Sequence, residues 1–421
     1  MLSTQAAIPA ARPSTLTEPA CRLCGARLHH TLIDLGSVPL AYRTIPTGST
    51  DDQPYRLHAR ICDDCTLVQV EDVAEPEVVA APEPHLSADF AIGKDEARRC
   101  FETMRKRLRL DAGSLVIEVG GNDGTLLRQF QDADIRVLRI ESPANAASAA
   151  EAGIPIEVGL FNAETAMQIA VRHGCADLVI ANNVLPHARD LFDLAAGLAC
   201  ILRPNGVLTL QTPHLLSMLQ KAQFDAFRHD AYTYLSLRVL EHVLRSVGLR
   251  VFDAERLPDH GGSLRVQACH VVGPHAARPG LKAVRLAEGA ADVSRQDLYA
   301  GFSDRVAAAQ DDIRGFLANR RSAGRRVAGY GAAARGAMLL NCCGITRAEI
   351  AAIADPDPAK HGRLLPGSRI PIVPLEVLMA DPPDDVIILP WPSVAEILLK
   401  LMPLRQLGTQ LWTPIPRIAR V

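Results

Sequence analysis

The chain has 421 residues, of which 48% are hydrophobic and 22% charged, with 29 glycines, 29 prolines and ten cysteines. That length exceeds what one hydrophobic core fills, so two or three domains are expected, and the composition excludes a low-complexity chain. A formal net charge of -2 offers no general pull on a polyanion, which argues against a nucleic-acid partner.

Residues 1–19 are rich in Ala, Ser, Thr and Pro but lack a basic start followed by a sustained apolar run, so a tail is expected there rather than a secretory signal. No apolar stretch reaches membrane-spanning length, and Cys200 and Cys269 sit inside strongly hydrophobic patterns. The expectation is a soluble, cytoplasmic protein with reduced thiols and no membrane association.

Two cysteine pairs follow, Cys21-Arg22-Leu23-Cys24 and Cys62-Asp63-Asp64-Cys65, separated by 37 residues that contain strand-like segments at 31–36 and 56–61. Two cysteines spaced by two residues can point inward from one tight turn. Two such turns supply a closed tetrahedron of thiolates, which suits structural Zn2+ with no open position. A module of roughly 60 residues has little core, so the metal would supply much of its folding free energy. The alternative is a disulfide pair or a redox dithiol, which the paired spacing and reducing context disfavour.

Residues 76–91, rich in Pro, Glu and Ala, read as a connector, and a helix over 94–108 follows with Ala97, Phe101 and Met104 on one face. Strand signals at 114–119, 135–140, 178–181 and 206–211 then alternate with helices, which predicts a doubly wound α/β sheet. A helix over 237–247, stopped by Gly248, leads to strands at 249–252 and 263–270 that close the sheet as a hairpin around 258–262. Next comes a long helix with Leu298, Phe302, Val306, Ile313, Phe316 and Leu317 at helical spacing, read as a core stripe bridging two domains. Strands at 326–331, 350–354 and 386–389 predict a second, smaller parallel α/β unit.

After the first central strand stands Glu118-Val119-Gly120-Gly121-Asn122-Asp123-Gly124. A sharp strand-to-helix turn with close backbone approach to a ligand explains the glycines. The carboxylates of Glu118 and Asp123 would repel a pyrophosphate but attract the cationic sulfonium and amino group of S-adenosylmethionine. Glu141 closes the next strand, 23 residues after Glu118, where an acid can accept both ribose hydroxyls. A glycine-rich turn with merely solvated acids is the plain alternative. Asn182, Asn183 and His187 follow the fourth strand, beyond the carboxyl edge of the sheet where ligands bind; a lone surface histidine has structural uses too.

With these residues placed, the sequence resembles the C-methyltransferases of nucleotide-activated deoxysugars, which act in antibiotic and other natural-product pathways. The likeness runs from Cys21 to about Pro414. It rests on the cysteine pairs, the Glu118 to Leu127 turn, Ala181-Asn182-Asn183-Val184-Leu185, and His260-Gly261-Gly262-Ser263-Leu264-Arg265. It continues through Gly329-Tyr330-Gly331-Ala332-Ala333-Ala334-Arg335-Gly336, Leu340-Asn341, His361-Gly362-Arg363-Leu364-Leu365-Pro366-Gly367 and Leu389-Pro390-Trp391.

The resemblance implies an α/β protein of three parts: a tail and zinc-binding module (1–78), a central Rossmann-like class I methyltransferase domain (79–275), and a C-terminal Rossmann-like substrate domain (276–421). It implies methylation at C3 of a 4-keto-deoxysugar, where a base removes the acidified hydrogen and the enolate attacks the methyl sulfonium in line. A monomer or weak dimer is expected, with a nucleotide-linked sugar as its partner. The resemblance assigns Glu118, Gly120, Asn122, Asp123, Glu141 and Asn182 to the cofactor.

One motif departs from the family. The family carries Tyr-His-Glu-His before an aromatic-Ser-Leu helix start, its last His implied as the base. Here, aligned on Tyr234-Leu235-Ser236-Leu237, stands Arg228-His229-Asp230-Ala231, and Ala231 accepts no proton. A tyrosine-bearing stretch near the connector is also absent, with Pro82-Glu83-Pro84-His85-Leu86-Ser87 in its place. The replacement catalytic candidates are His229 oriented by Asp230, together with His187; Arg228 is available for an enolate or carboxylate. His260, Arg265, Tyr330 and Arg335 are the remaining substrate candidates, Arg335 suiting phosphate oxygens and Arg265 a diphosphate or a carboxylate, with a merely structural hairpin as the plain alternative around His260. Without the usual base the same scaffold would run an epimerisation, ketoreduction or rearrangement, or act as a non-catalytic binding homologue; these are the alternative readings.

Overall fold

The computed structural model describes residues 19–71, 91–120, 124–143, 153–291 and 296–421. The expected tail, nearly all of the 76–91 connector, and Gly121, Asn122 and Asp123 of the glycine turn lie outside the described residues.

Each cysteine pair sits on a tight turn. The amide of Gly25 donates to the Cys21 carbonyl at 2.9 Å and that of Thr66 to the Cys62 carbonyl at 3.0 Å, and both Gly25 and Thr66 adopt positive φ to reverse the chain. The strands His30–Pro39 and Pro54–Ile61 pair antiparallel, and Val68–Val70 joins them. The fourth strand of this sheet comes from far along the chain: Thr233–Tyr234 pairs with Val68–Val70.

The central sheet has seven strands in the order Leu249–Leu257, Ser263–His270, Leu202–Pro213, Ala176–Asn182, Leu115–Val119, Arg136–Glu141, Ile156–Val158. The last five run parallel, and the two at the other edge form the expected antiparallel hairpin. Leu115–Val119 is buried throughout because helices cover both faces. Leu115, Ile117 and Val119 point into one layer, and Val116 into the other with Leu126, Leu127 and Phe130, as the two-residue side-chain period requires. Helix Pro279–Ala290, counted with the C-terminal part from sequence, packs on this domain. Its Glu288 caps helix Leu237–Ser246 by accepting from the amides of Leu237 (2.6 Å) and Arg238 (3.2 Å), and it also accepts from His214 Nε2 at 2.9 Å.

The C-terminal sheet runs Ile372–Val373, Ile353–Ala354, Val327–Tyr330, Asp385–Ile388, Gln410–Thr413, Ala419–Arg420. It is mixed rather than purely parallel, because its edge strand Ala419–Arg420 returns antiparallel. The long helix Gln296–Ser322 buries Phe302, Val306, Ile313 and Leu317 in one core with Leu32 of the cysteine module and Leu339 of the C-terminal unit. Its Ser303 hydroxyl donates to the Leu32 carbonyl at 3.0 Å. The stripe is therefore core, as its spacing indicates, and it joins all three parts of the chain, since the same core holds Phe227 of the central part against Phe302. No helix among the described residues is long and apolar enough to cross a membrane.

Candidate active site

The four cysteine sulfurs lie within 4.8 Å of one another, with Cys21 to Cys65 and Cys24 to Cys62 each at 3.5 Å. A tetrahedral zinc with thiolate bonds near 2.3 Å needs sulfurs roughly 3.8 Å apart, so the donor set fits the ion. The Cys65 thiol holds the Cys21 pKa low, while burial pushes Cys62 up. We expect one zinc per chain by metal analysis. Stripping it with a chelator should lower the thermal midpoint by more than about 5 °C, because a sheet this small folds around its metal; an unmoved midpoint refutes the structural role.

At the carboxyl edge of the central sheet, Glu118 is buried near the end of its strand and Gly120 follows with φ 68°. A Cβ at Gly120 would sit 2.9 Å from Val184 Cγ2, so only glycine brings the backbone this close to the next loop. Glu141 ends the neighbouring strand. One of its oxygens faces the Arg139 guanidinium at 3.0 Å and the other accepts from the Ser142 amide at 2.9 Å. This pairing orients Glu141 at the end of its strand. Asn182 ends the strand on the other side and Asn183 follows at φ 56°, and the Oδ1 of each is buried with no hydrogen-bond partner among the described residues. Orphaned acceptors of this kind at a sheet's carboxyl edge suit donors of a ligand.

The replacement base motif is arranged differently from its sequence reading. His229 does not share a bond with Asp230. Its ring is 3% exposed and turns toward the cysteine module, donating from Nε2 to the Tyr55 carbonyl at 3.2 Å. Arg228 to Ala231 form a turn, in which the Ala231 amide donates to the Arg228 carbonyl at 3.3 Å, and Asp230 faces His187. The His187 Nδ1 donates to the Asp230 carbonyl at 2.5 Å and stands 3.6 Å from the Asp230 carboxylate, which Arg228 Nη2 contacts at 3.0 Å. This fixes the tautomer with the proton on Nδ1 and leaves Nε2 as the basic nitrogen. Desolvation by packed neighbours lowers the His187 pKa, the Asp230 charge raises it and the Arg228 charge lowers it; solvent over the 39% exposed side chain screens all three. Ala231 is buried in the core.

The substrate candidates are largely committed elsewhere. Arg265 is buried and contacts Glu96 at 2.5 Å, Gln211 at 2.6 Å and Glu255 at 3.4 Å. Arg335 forms two bonds to Asp225 (2.8 and 3.0 Å) and others to Gln223 Oε1 (3.1 Å) and the His260 carbonyl (2.8 Å), and its guanidinium lies over the Trp391 ring. Trp391 Nε1 donates to the same Asp225 carboxylate at 2.9 Å. Both arginines thus pair with carboxylates of the chain, Arg265 in a buried cluster and Arg335 in a partly buried one. Tyr330 is buried, and its hydroxyl pKa is raised by burial. Sequence reasoning missed Asp225, Gln223 and Glu96. The available signal for Asp225 was a single acid inside the apolar run Phe224-Asp225-Ala226-Phe227.

Around the turn at Asp259–Gly261, His260 adopts φ 54°, and Lys221 Nζ donates to the Gly261 carbonyl at 2.8 Å. Desolvation, then the charges of Arg256 and Arg335, lower the Lys221 pKa, so three cations gather at this loop.

Residues 21–79 match a zinc binding domain family, 93–254 a methyltransferase domain, and 258–416 the C-methyltransferase C-terminal domain. The chain is 31% identical over 401 residues to the C-methyltransferase NovU of Streptomyces niveus, covering 94% of this chain and 95% of that one. It is 27% identical over 99 residues to an uncharacterized methyltransferase of Mycobacterium avium, covering 24% of this chain and 39% of the relative. Among solved structures it is similar to the magnesium protoporphyrin IX methyltransferase ChlM of Synechocystis, at 17% identity and a TM-score of 0.34, over 42% of this chain and 83% of that one. The chain belongs to the family of S-adenosylmethionine-dependent C-methyltransferases that join these three domains.

Proposed function

We propose that the chain methylates C3 of a nucleotide-activated 4-keto-deoxysugar, with His187 as the base. One observation carries this assignment: the 2.5 Å bond from His187 Nδ1 to the Asp230 carbonyl, which leaves Nε2 available in a chain whose expected base position is Ala231. S-adenosylmethionine, when bound, supplies an electrophilic methyl, and Glu118, Gly120, Glu141 and Asn182 are the residues that would hold it; Asn122 and Asp123 join them by the sequence pattern. His187 Nε2 would take the C3 proton, leaving the C3 electron pair to bond the methyl that the bound cofactor would give up. Arg228, beside Asp230, puts a positive charge near the developing enolate oxygen. Lys221, at the Gly261 carbonyl, joins Arg265 and Arg335 as a candidate for the diphosphate, and His260 and Tyr330 are candidates for the sugar nucleotide.

Purified protein incubated with methyl-labelled S-adenosylmethionine and a panel of ketosugar nucleotides should give a product one methyl heavier. Label transfer to no member of the panel refutes the proposed substrate class.

The pKa directions set the pH dependence. A base works when neutral, so kcat/KM is high above the His187 pKa and falls as pH drops through it, and desolvation places that fall below the ordinary imidazole range. Asp230→Asn removes the charge that raises this pKa and should move the acid limb to lower pH. Arg228→Gln removes a charge that lowers it and should move the limb up. Limbs that stay in place in both variants exclude His187 as the titrating group.

A further inference from the structure

We infer that Gln69 is a positioning residue through which the zinc centre orders the segment that holds His187; its catalytic part rests on the function proposed above. Gln69 is 2% exposed and both ends of its amide are engaged. Its Nε2 donates to Cys21 Sγ at 3.2 Å and its Oε1 accepts from the Arg22 amide at 3.0 Å.

The backbone of the same residue lies opposite Thr233, in the short strand that the central domain lends to the cysteine-module sheet. The Val70 amide donates to the Tyr232 carbonyl at 3.0 Å, and the Tyr232 amide donates to the Pro186 carbonyl at 2.7 Å, one residue before His187. The Arg22 guanidinium lies over the Tyr232 ring, 5.0 Å from its centroid. A continuous set of bonds therefore runs from a metal-ligating sulfur to both members of the His187 and Asp230 pair.

The metal matters to this path because zinc holds Cys21 as a thiolate. Zinc fixes the position of Cys21 Sγ among the four sulfurs, so zinc loading holds the acceptor of the Gln69 bond in place and with it the strand opposite Thr233. A four-cysteine site closed to substrate would then affect turnover without touching any reacting atom.

The test is Gln69→Met in the full-length zinc-loaded protein, which keeps side-chain volume and removes both amide bonds. Zinc content should remain one per chain. Hydrogen exchange at the Val70 and Tyr232 amides should accelerate about tenfold, the loss expected for one net hydrogen bond, while amides of Leu208 and Ile387 stay protected. Methyl transfer should lose kcat with KM and S-adenosylhomocysteine affinity held. Where Gln69→Met loses zinc, Gln69→Glu retains the acceptor for the Arg22 amide, removes only the donor to Cys21, and is read the same way. Unchanged exchange at Val70 and Tyr232 with zinc retained overturns the coupling, and faster exchange with unchanged kcat overturns the positioning role. A wild-type protein that methylates no ketosugar removes the substrate proposal but leaves the exchange result standing.

Discussion

Replacing His187 by Asn is expected to lower kcat about 10²–10⁴-fold, the usual contribution of a positioned general base, with S-adenosylhomocysteine affinity unchanged by calorimetry. The side chain is 39% exposed and its loss removes one hydrogen bond, so the fold should survive. His229→Gln is the matched control. It preserves a donor for the Tyr55 carbonyl, and because that ring faces the cysteine module, turnover should fall by no more than a few-fold. The reverse order of effects, with His229→Gln inactive and His187→Asn near normal, would return the base to His229. The two residues lie at the two ends of one tight arrangement, so the comparison discriminates between them under identical packing.

The second large effect falls on the junction between the central and C-terminal parts. Asp225 is fully buried and accepts two bonds from Arg335 and one from Trp391. Asp225→Ala strands a guanidinium and an indole donor together, which should cost about 3–5 kcal/mol in urea unfolding. Arg335→Met alone should also destabilise by leaving the carboxylate buried and uncompensated. The double variant Asp225→Leu with Arg335→Met should recover most of the loss, since replacing both partners of a buried pair by apolar groups is often near neutral. Additive losses in the double variant would show that the two side chains act independently. Gly261 is part of the same junction: a Cβ there would meet the Trp391 ring at 2.8 Å and Gln223 at 2.9 Å, which accounts for the glycine pair of the hairpin.

Legibility followed the range of the interaction. The cysteine turns were readable because three-residue spacing and a positive-φ residue are local facts. The alternation of strands and helices was readable because the burial of both sheet faces writes itself into continuous apolar runs such as Leu115–Val119. Glu118 and Glu141 could be placed because parallel strands align their carboxyl ends. Arg265 and Arg335 hid their counter-charges for the opposite reason. Their partners stand far away along the chain, Asp225 being 110 residues from Arg335, and no window of sequence shows that a charge is already neutralised. The pairing of His187 with Asp230 was hidden the same way, while the neighbouring His229 and Asp230 suggested a dyad whose members the turn sends to different partners.

By itself the amino-acid order determined the three-part α/β plan, the four-thiol set and the glycine turn, since each depends on periodicity or on residues a few positions apart. Only tertiary structure decided which charges were spent in the interior and which stayed available. It also decided that the cysteine-module sheet takes its fourth strand from residues 233–234, next to Asp230. The physical reason is that electrostatic and hydrogen-bond partners are chosen by distance in space, and a buried charge accepts whichever counter-charge the fold brings within about 4 Å.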